Sequence, residues 1–463
     1  MYKTPGVYIE EIPKFPPSIA PVETAIPAFI GYTEKAKKKE EDDLILKPQR
    51  IDSIADYRSY FGEAQEEENI EVVIDAEDGE GQARFPEGAL RSKHIMYYAL
   101  QLFFDNGGGP CYIVSTGKYK GLGDDLVQTE LKDGLDTLVK VDEPTLIIFP
   151  EAQSLSISDF SALHDAALKQ CYKLKDRFVI MDVHGGDISM DDPDSDIRDA
   201  VLAFRDGGIG TNHLKYGAAY APNIETILDF SYKEESINVK IGDAESSLQE
   251  LKESDNRNYE RARALLRDMP CKMPPSAAMA GIYAAVDNSR GVWKAPANVS
   301  VNAVIQPTIQ ISRDDQEDLN VDTVAGKSVN AIRSFTGKGT LVWGARTLAG
   351  NDNEWRYISV RRFFNFAEES IKKATEQFVF EPNDANTWVR VQAMIENFLT
   401  TQWRQGALQG VKPEHAFYVA VGLGKTMTAQ NILRGEMIIE IGMAVVRPAE
   451  FIILRFSHKM AES

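Results

Sequence analysis

The sequence predicts an α/β (α+β) protein with two folded regions and an extended arm at each end. Short apolar runs alternate with helical periodicities between residues 93 and 221, which is typical of βαβ units and of a largely parallel or mixed sheet. The last third of the chain instead has two long amphipathic helices followed by β-prone segments. Four prolines separate a short N-terminal β-prone segment from the first folded region: Pro13, Pro16, Pro17 and Pro21.

The N-terminal segment predicts a tethered strand. Residues 7–12 are β-prone, and the prolines that follow lack an amide hydrogen and fix φ, so they form an extended and rather stiff linker. Nine such residues reach about 30 Å at about 3.3 Å each. The strand can therefore pair away from its own domain or dock on its own sheet, and the residues alone leave both possibilities open.

The first folded region begins with a predicted strand at residues 24–33 and continues through alternating elements. Further helices are predicted at 95–103, 160–172 and 197–205, and further strands at 111–115, 145–149, 177–183 and 216–221.

Three charged stretches interrupt this pattern and are interpreted as surface insertions. Residues 63–80 contain nine acids and no base, which predicts a solvated loop. Residues 185–196 form a second loop, and residues 243–267 a charged, solvent-facing helical stretch.

The C-terminal third begins with one amphipathic helix at 360–378, which Pro382 terminates. A second helix is predicted around 388–402, with Asp384 as its N-cap. Strands are predicted at 436–446 and 450–456, and both faces of these strands are largely apolar. Terminal strands with free edges favour strand addition from another chain.

Composition limits the class of function. The 463 residues include 51 basic and 70 acidic side chains, and the formal charge of −19 argues against a nucleic-acid binder. No apolar run approaches the roughly 20 residues of a membrane span, and the N-terminus lacks the apolar core of a signal peptide. Three widely spaced cysteines indicate reduced, buried thiols of a cytosolic protein.

Motifs for chemistry are weak, so no catalytic, cofactor-binding or metal-binding residue is predicted. The segment Gly422-Leu-Gly-Lys-Thr426 resembles half of a phosphate-binding loop, but Val419 occupies the position of the required first glycine, which favours an ordinary turn. His184 follows a predicted strand without a partner at ligand spacing. The alternative from another class is a soluble α/β enzyme or nucleotide-binding protein that uses the Gly422–Thr426 loop.

Several long segments resemble the contractile phage tail sheath family. They occur in the expected order from residue 4 to residue 451: Thr4-Pro-Gly-Val-Tyr-Ile-Glu-Glu, Asp105-Asn-Gly-Gly-Gly-Pro-Cys-Tyr-Ile-Val, Pro274-Pro-Ser-Ala-Ala-Met-Ala-Gly-Ile-Tyr-Ala, Gly291-Val-Trp-Lys-Ala-Pro-Ala-Asn, Val342-Trp-Gly-Ala-Arg-Thr-Leu, Trp355-Arg-Tyr-Ile-Ser-Val-Arg-Arg, Phe380-Glu-Pro-Asn-Asp, Trp403-Arg-Gln-Gly-Ala-Leu-Gln-Gly and Arg447-Pro-Ala-Glu-Phe.

The resemblance implies a non-enzymatic protomer that polymerises as a helical sheath around an inner tube and contracts when a baseplate triggers it. Terminator or cap proteins would complete the particle. Assembly would take place in the cytoplasm of the producing bacterium, and the product would be a phage virion or a phage-tail-like particle. A myophage tail and an extracellular injection particle both fit, whereas a type VI sheath, divided between two chains, fits less well.

The resemblance also implies a division of the chain and a set of contact residues. Residues 1–23 and 447–463 would be arms, 24–328 an outer or middle domain, and 329–446 an inner domain. The arms would exchange strands with neighbouring protomers through Val7, Tyr8, Ile9, Phe451, Ile453 and Leu454. Basic residues expected on the free faces of the two long helices would contact the inner tube: Arg361, Arg362, Lys372, Lys373 and Arg390.

Overall fold

A computed structural model of the chain describes residues 18–75, 80–188 and 196–455. The strand predicted at 7–12, with Val7, Tyr8 and Ile9, lies outside the described residues, as does most of the 185–196 insertion.

The described residues contain helices and strands throughout. The strands are β1 Pro27–Thr33, β2 Gln49–Ile51, β3 Glu71–Ile74, β4 Gly81–Arg84, β5 Cys111–Lys118, β6 Leu146–Ile148, β7 Phe178–Asp182, β8 Gly217–Ala221, β9 Ile224–Thr226, β10 Asn238–Ile241, β11 Ala244–Ser247, β12 Cys271–Met273, β13 Val299–Ser300, β14 Val304–Pro307, β15 Val329–Phe335, β16 Gly339–Val342, β17 Phe417–Val421 and β18 Ile439–Met443. The helices are α1 Ile54–Phe61, α2 Met96–Asp105, α3 Gln128–Thr137, α4 Ile157–Leu174, α5 Ile197–Ala203, α6 Leu248–Ser254, α7 Asn256–Asp268, α8 Ser276–Arg290, α9 Arg313–Asn320, α10 Ile358–Thr375, α11 Ala385–Arg404, α12 Pro413–Ala416 and α13 Ala429–Leu433.

These elements belong to two compact units. The small unit contains residues 18–22 and 366–446, and the large unit contains the described residues of 23–365 and 447–455. Residues 18–22, which precede the large unit in sequence, therefore belong to the small unit. Residues 447–455, which follow the small unit in sequence, belong to the large unit.

The large unit is built on a nine-stranded mixed sheet with the order β13-β16-β15-β8-β7-β6-β1-β5-β2. The six strands from β15 to β5 are parallel, whereas β2, β16 and β13 are antiparallel to their neighbours. The predicted α/β class with a mixed or parallel sheet is confirmed. The participation of β15 and β16 also shows why the compact units do not divide at the predicted residue 328. The assignment of inner and outer positions in a sheath stays a prediction.

Helices cover both faces of this sheet. Along β1, Phe29 contributes to one apolar core, and Ala28 and Ile30 contribute to the other, because successive side chains of a strand point to opposite faces. The first core includes residues of α2 and α8, and the second includes residues of α3, α4 and α5. Coverage of both faces explains why the central strands are continuously apolar.

Two of the predicted insertions fold together within the large unit. A four-stranded sheet with the order β11-β10-β3-β4 joins residues of 63–80 to residues of 238–247, and α6 and α7 follow it. Val72 and Ile74 are buried, so the prediction of a wholly solvated loop at 63–80 is wrong. The stretch 243–267 is likewise not helical from its start, because residues 244–247 form β11.

Of the predicted pair of long helices, the small unit contains all of α11 and the part of α10 from Phe366 onward, whereas α10 begins in the large unit. Asp384 caps α11 as predicted, since its side chain accepts a hydrogen bond of 3.0 Å from the amide of Thr387. One face of α11 is buried, and its Phe398 ring lies 5.9 Å from the Phe366 ring. The strands β17 and β18 form a separate antiparallel sheet.

Of the strand predicted at 450–456, the structure describes residues 450–455, and these residues do not form a strand. Residues 450–455 have no strand pairing, and the side chains of Phe451, Ile452, Ile453 and Leu454 are 68%, 79%, 76% and 72% exposed. A β-prone segment without a partner strand has no hydrogen bonds with which to form a sheet. The described chain by itself provides none.

Candidate assembly surfaces

The structure separates the five predicted basic contact residues into buried and exposed groups. Arg361 is only 2% exposed, and its guanidinium lies 4.4 Å from the centre of the Trp355 ring and 5.0 Å from that of Tyr216. Its Nε also donates a hydrogen bond of 2.8 Å to Asn365. Arg361 therefore fastens α10 within the large unit and is not a surface residue.

Arg362 is equally internal at 3% exposure. It forms an ion pair with the buried carboxylate of Asp287 on α8, with Nη1 3.0 Å from Oδ1, and donates to the carbonyl of Thr24. The prediction that Arg361 and Arg362 lie on free helix faces is wrong, because aromatic and acidic side chains from distant parts of the sequence cover them.

The other three basic residues lie on the surface of the small unit. The side chains of Lys372, Lys373 and Arg390 are 61%, 38% and 54% exposed. Lys372 and Lys373 pair with Glu369, and Arg390 pairs with Glu381 at 3.3 Å. Exposed pairs of this kind are weak, so these cations can exchange partners at little cost.

The Gly422–Thr426 segment forms a self-contained turn. The amides of Lys425, Thr426 and Met427 all donate to the carbonyl of Gly422, at 3.2, 3.1 and 3.1 Å. A phosphate-binding loop instead directs its amides outward at the ligand, toward the start of a helix. The only helix that follows closely in this part of the structure is α13, which is five residues long.

Other candidate chemical groups are also used internally. His184 lies within 2.9 Å of the Leu155 carbonyl through Nε2. Burial raises the pKa of all three cysteine thiols, that of Cys271 to about 12, which leaves little nucleophilic thiolate. Within the described ranges no group of three or more His, Cys, Asp or Glu is placed to hold a metal ion. None of the described helices combines the length and apolar character of a bilayer span.

The sheet of β17 and β18 has two strands, and both of its edges lack a further strand along Phe417–Val421 and Ile439–Met443 among the described residues. Just beyond β18, residues 407–409 cover the outer edge through the bridge between Leu408 and Val445. The Ala444 amide donates to the Ala416 carbonyl at 2.8 Å, which fixes the alternation of inward and outward backbone groups in this antiparallel pair. The groups that the alternation directs away from the partner strand belong to Ile439, Ile441 and Met443 in β18 and to Phe417, Val419 and Val421 in β17.

The C-terminal segment of the large unit has the complementary property, namely four exposed apolar side chains at 451–454. The segment begins at Glu450, whose carboxylate is held by three side chains of the large unit. Arg346 donates from Nε at 2.9 Å and from Nη2 at 2.7 Å, Asn320 donates at 2.9 Å, and the Tyr357 hydroxyl donates at 3.2 Å.

Burial of Glu450 opposes ionisation, but the hydrogen bonds from Arg346, Asn320 and Tyr357 outweigh it and lower the pKa of this carboxyl. Sequence reasoning did not single out this cluster. A signal was nevertheless present, because Arg346, Tyr357 and Glu450 each lie in a segment that carried the family resemblance, and two of them have opposite charge.

Open sheet edges and an exposed apolar segment are typical of a protein that assembles by strand addition. Comparison with known proteins is more specific. Residues 162–348 match the phage tail sheath protein central domain, and residues 350–459 match the phage tail sheath C-terminal domain.

Solved structures agree over almost the whole chain. The sheath complex of the extracellular contractile injection system PVC, in the contracted state, is 30% identical with a TM-score of 0.66 and covers 99% of this chain and 98% of its own. The contracted helical sheath of the anti-feeding prophage is 32% identical with a TM-score of 0.63 and covers 99% and 100%.

A curated relative matches over a shorter stretch. The tail sheath protein of Vibrio phage KVP40 is 23% identical over 203 residues, which are 43% of this chain and 28% of that protein. The chain thus matches little more than a quarter of the length of this relative.

The chain belongs to the phage tail sheath family, as its resemblance in sequence predicted. The family consists of structural components of phage tails and tail-like particles. Neither the turn at Gly422–Thr426 nor these similarities support the nucleotide-binding alternative.

The turn geometry predicts that Lys425→Ala leaves sheath assembly unchanged and that the wild-type chain shows no ATP binding in isothermal titration calorimetry. The physical reason is that three amides of the turn already donate to the Gly422 carbonyl. ATP binding by the wild type that is lost in Lys425→Ala would contradict this, and Lys412→Ala serves as a lysine control outside the turn.

Proposed function

We propose that this chain is the protomer of a helical contractile sheath, which its two terminal arms connect into a continuous mesh. The observation that carries the proposal is complementarity within one chain. The β17–β18 sheet of the small unit has two open edges, and the described part of the β-prone C-terminal arm has no strand partner among the described residues. The sequence of residues 7–12 is β-prone as well.

The number of arm segments in each chain equals the number of open sheet edges, and this equality favours strand exchange between copies. If the N-terminal segment with Val7, Tyr8 and Ile9 and the C-terminal segment with Phe451, Ile453 and Leu454 each add to an edge of another copy, every sheet gains two strands and becomes four-stranded. Sheets of three or more strands are stable where a two-stranded ribbon is marginal. Strand addition also satisfies outward backbone groups that otherwise need water.

The proposed partners follow from the relatives. PVC and the anti-feeding prophage are represented by contracted sheath assemblies, and a further anti-feeding prophage match, 33% identical with a TM-score of 0.66, comes from a baseplate structure. We infer that this sheath likewise joins a baseplate, surrounds an inner tube and ends in a terminator or cap protein. Assembly would take place in the cytoplasm of the producing bacterium.

The function would be mechanical. Contraction of the polymer would drive the inner tube through a target envelope, and the energy would come from the difference between two arrangements of the same protomers. If contraction buried about 1,000 Å² more apolar surface per protomer, the gain would be at most about 25 kcal/mol. A row of many protomers would then need no nucleotide for one stroke.

The arms are tested by removing their strand-forming residues. We expect deletion of residues 1–17, or the triple change Phe451→Ser, Ile453→Ser and Leu454→Ser, to leave the thermal unfolding of the chain unchanged and to abolish extended sheaths in negative-stain micrographs. The physical reason for the triple change is that Phe451, Ile453 and Leu454 are 68%, 76% and 72% exposed and therefore add little to the core, whereas the deletion removes a segment that the sequence separates from the first folded region by prolines.

The matched control for the arm variants is Val324→Ser, which removes an apolar side chain of 94% exposure elsewhere in the large unit and should assemble normally. Sheaths of normal appearance from either arm variant would contradict strand exchange through that arm.

The exposed cations of the small unit are the remaining candidates for contact with the tube. We expect Lys372→Glu, Lys373→Glu and Arg390→Glu together to reduce the amount of tube that co-purifies with the sheath, most strongly at low salt and less as salt rises, because exposed charge pairs are weak and screened. Arg313→Glu, a reversal at 88% side-chain exposure in the large unit, is the control. Salt-independent retention of tube by the triple variant would mean that other residues hold the tube.

A further inference from the structure

Arg346, which binds the Glu450 carboxylate, is also held by contacts that do not involve Glu450. The amide of Arg346 donates to the side-chain oxygen of Asn330 at 2.8 Å, and the side-chain nitrogen of Asn330 donates to the Arg346 carbonyl at 2.8 Å. Asn330 is fully buried in β15. Arg346 also pairs with Tyr357 through an antiparallel bridge, and its Nη1 donates to the Asn320 carbonyl. The donors that meet Glu450 are therefore held in place by the large unit itself.

The exposure of the side chains changes abruptly after Glu450. The Glu450 side chain is 21% exposed and Arg346 is 5% exposed, whereas each of the next four apolar side chains is more than two-thirds exposed. A carboxylate with this many charge-assisted hydrogen bonds is costly to withdraw, because its partner Arg346 would be left buried without a counter-charge. The boundary between the fixed and the exposed chain thus falls between residues 450 and 451.

We propose that Arg346, Asn320 and Tyr357 form a receptor for the carboxylate of Glu450 that sets the point from which the C-terminal arm is donated to another copy. The inference rests on the proposed strand exchange and adds a positioning residue to it. Glu450 makes no contact with the neighbouring copy in this proposal. It acts by holding the root of the arm, so that Phe451 and the residues after it are presented at a fixed place and direction.

One consequence concerns which unit the exchanged strand connects. The arm follows the small unit in sequence, but the receptor belongs to the large unit. A strand donated to the sheet of another copy therefore connects that copy to the large unit of the donor. A fixed root also raises the effective concentration of the strand at its acceptor.

The first test is limited chymotrypsin digestion of the dissociated full-length chain, followed by mass spectrometry, with wild type and Glu450→Gln. Cleavage after Phe451 requires the protease to bind the residues on both sides of that bond, including Glu450. Cleavage after Leu454 does not involve Glu450 closely. We expect Glu450→Gln to accelerate cleavage after Phe451 about tenfold and to leave cleavage after Leu454 unchanged, because loss of one charged acceptor weakens the receptor by about that factor.

Two further variants keep the test decisive. Tyr357→Phe removes only the hydroxyl donor, folds without a new buried charge, and should accelerate cleavage after Phe451 a few-fold. Glu317→Gln changes an exposed ion pair on α9, the helix that supplies Asn320, and should change neither cleavage rate. Unchanged cleavage after Phe451 in both Glu450→Gln and Tyr357→Phe would overturn the receptor.

The second test is sheath formation by the same variants. We expect Glu450→Gln to form extended sheaths at about one-tenth of the wild-type yield or less, although Phe451–Leu454 are intact. Faster cleavage with a normal sheath yield would show that the receptor does not position the arm and would overturn the proposal. Normal sheaths from a chain that ends at Glu450 would instead contradict the proposed function of the arm, whatever the cleavage rates are.

Discussion

The open edges of the β17–β18 sheet are the constraint on which the proposed assembly depends. Backbone amides and carbonyls form hydrogen bonds in nearly all native structures, and a two-stranded sheet leaves half of its ladder groups directed outward. In the described residues those groups lie at alternate positions of β17 and β18, such as Val419 and Ile441. The small unit thus has a sheet that a further strand on either side would complete. In the proposed sheath, other copies of the chain would supply the missing strands.

Three arginines in the segments that carried the family resemblance fasten the large unit internally. Arg361 is held between aromatic rings, Arg362 is paired with Asp287, and Arg346 receives Glu450. Each of these joins parts of the chain that are far apart in sequence. In the proposed contractile sheath, such joints would hold each protomer together, and weak exposed pairs such as that of Arg390 would serve contacts that must release.

The sequence predicted the elements of the fold well and their partners poorly. Continuous apolar runs identified the buried parallel strands, and Asp384 marked the start of α11, because both signals are local. The faces of α10 were misjudged because periodicity distinguishes apolar from polar positions but does not show that Trp355 or Asp287 covers Arg361 or Arg362. The strand at 450–456 was predicted from β-propensity, whereas strand formation also requires a partner, which the described residues of one chain do not supply.

Hydrogen exchange of individual backbone amides, measured for the dissociated chain and for the assembled sheath, tests strand exchange most directly. If arms from other copies complete the sheet, the outward amides of Ile439, Ile441 and Met443 and the amides of residues 452–454 should exchange rapidly in the dissociated chain and at least about a hundredfold more slowly in the sheath. Rapid exchange of both sets of amides in fully assembled sheaths would show that the edges stay open, and would contradict strand exchange as the connection between protomers.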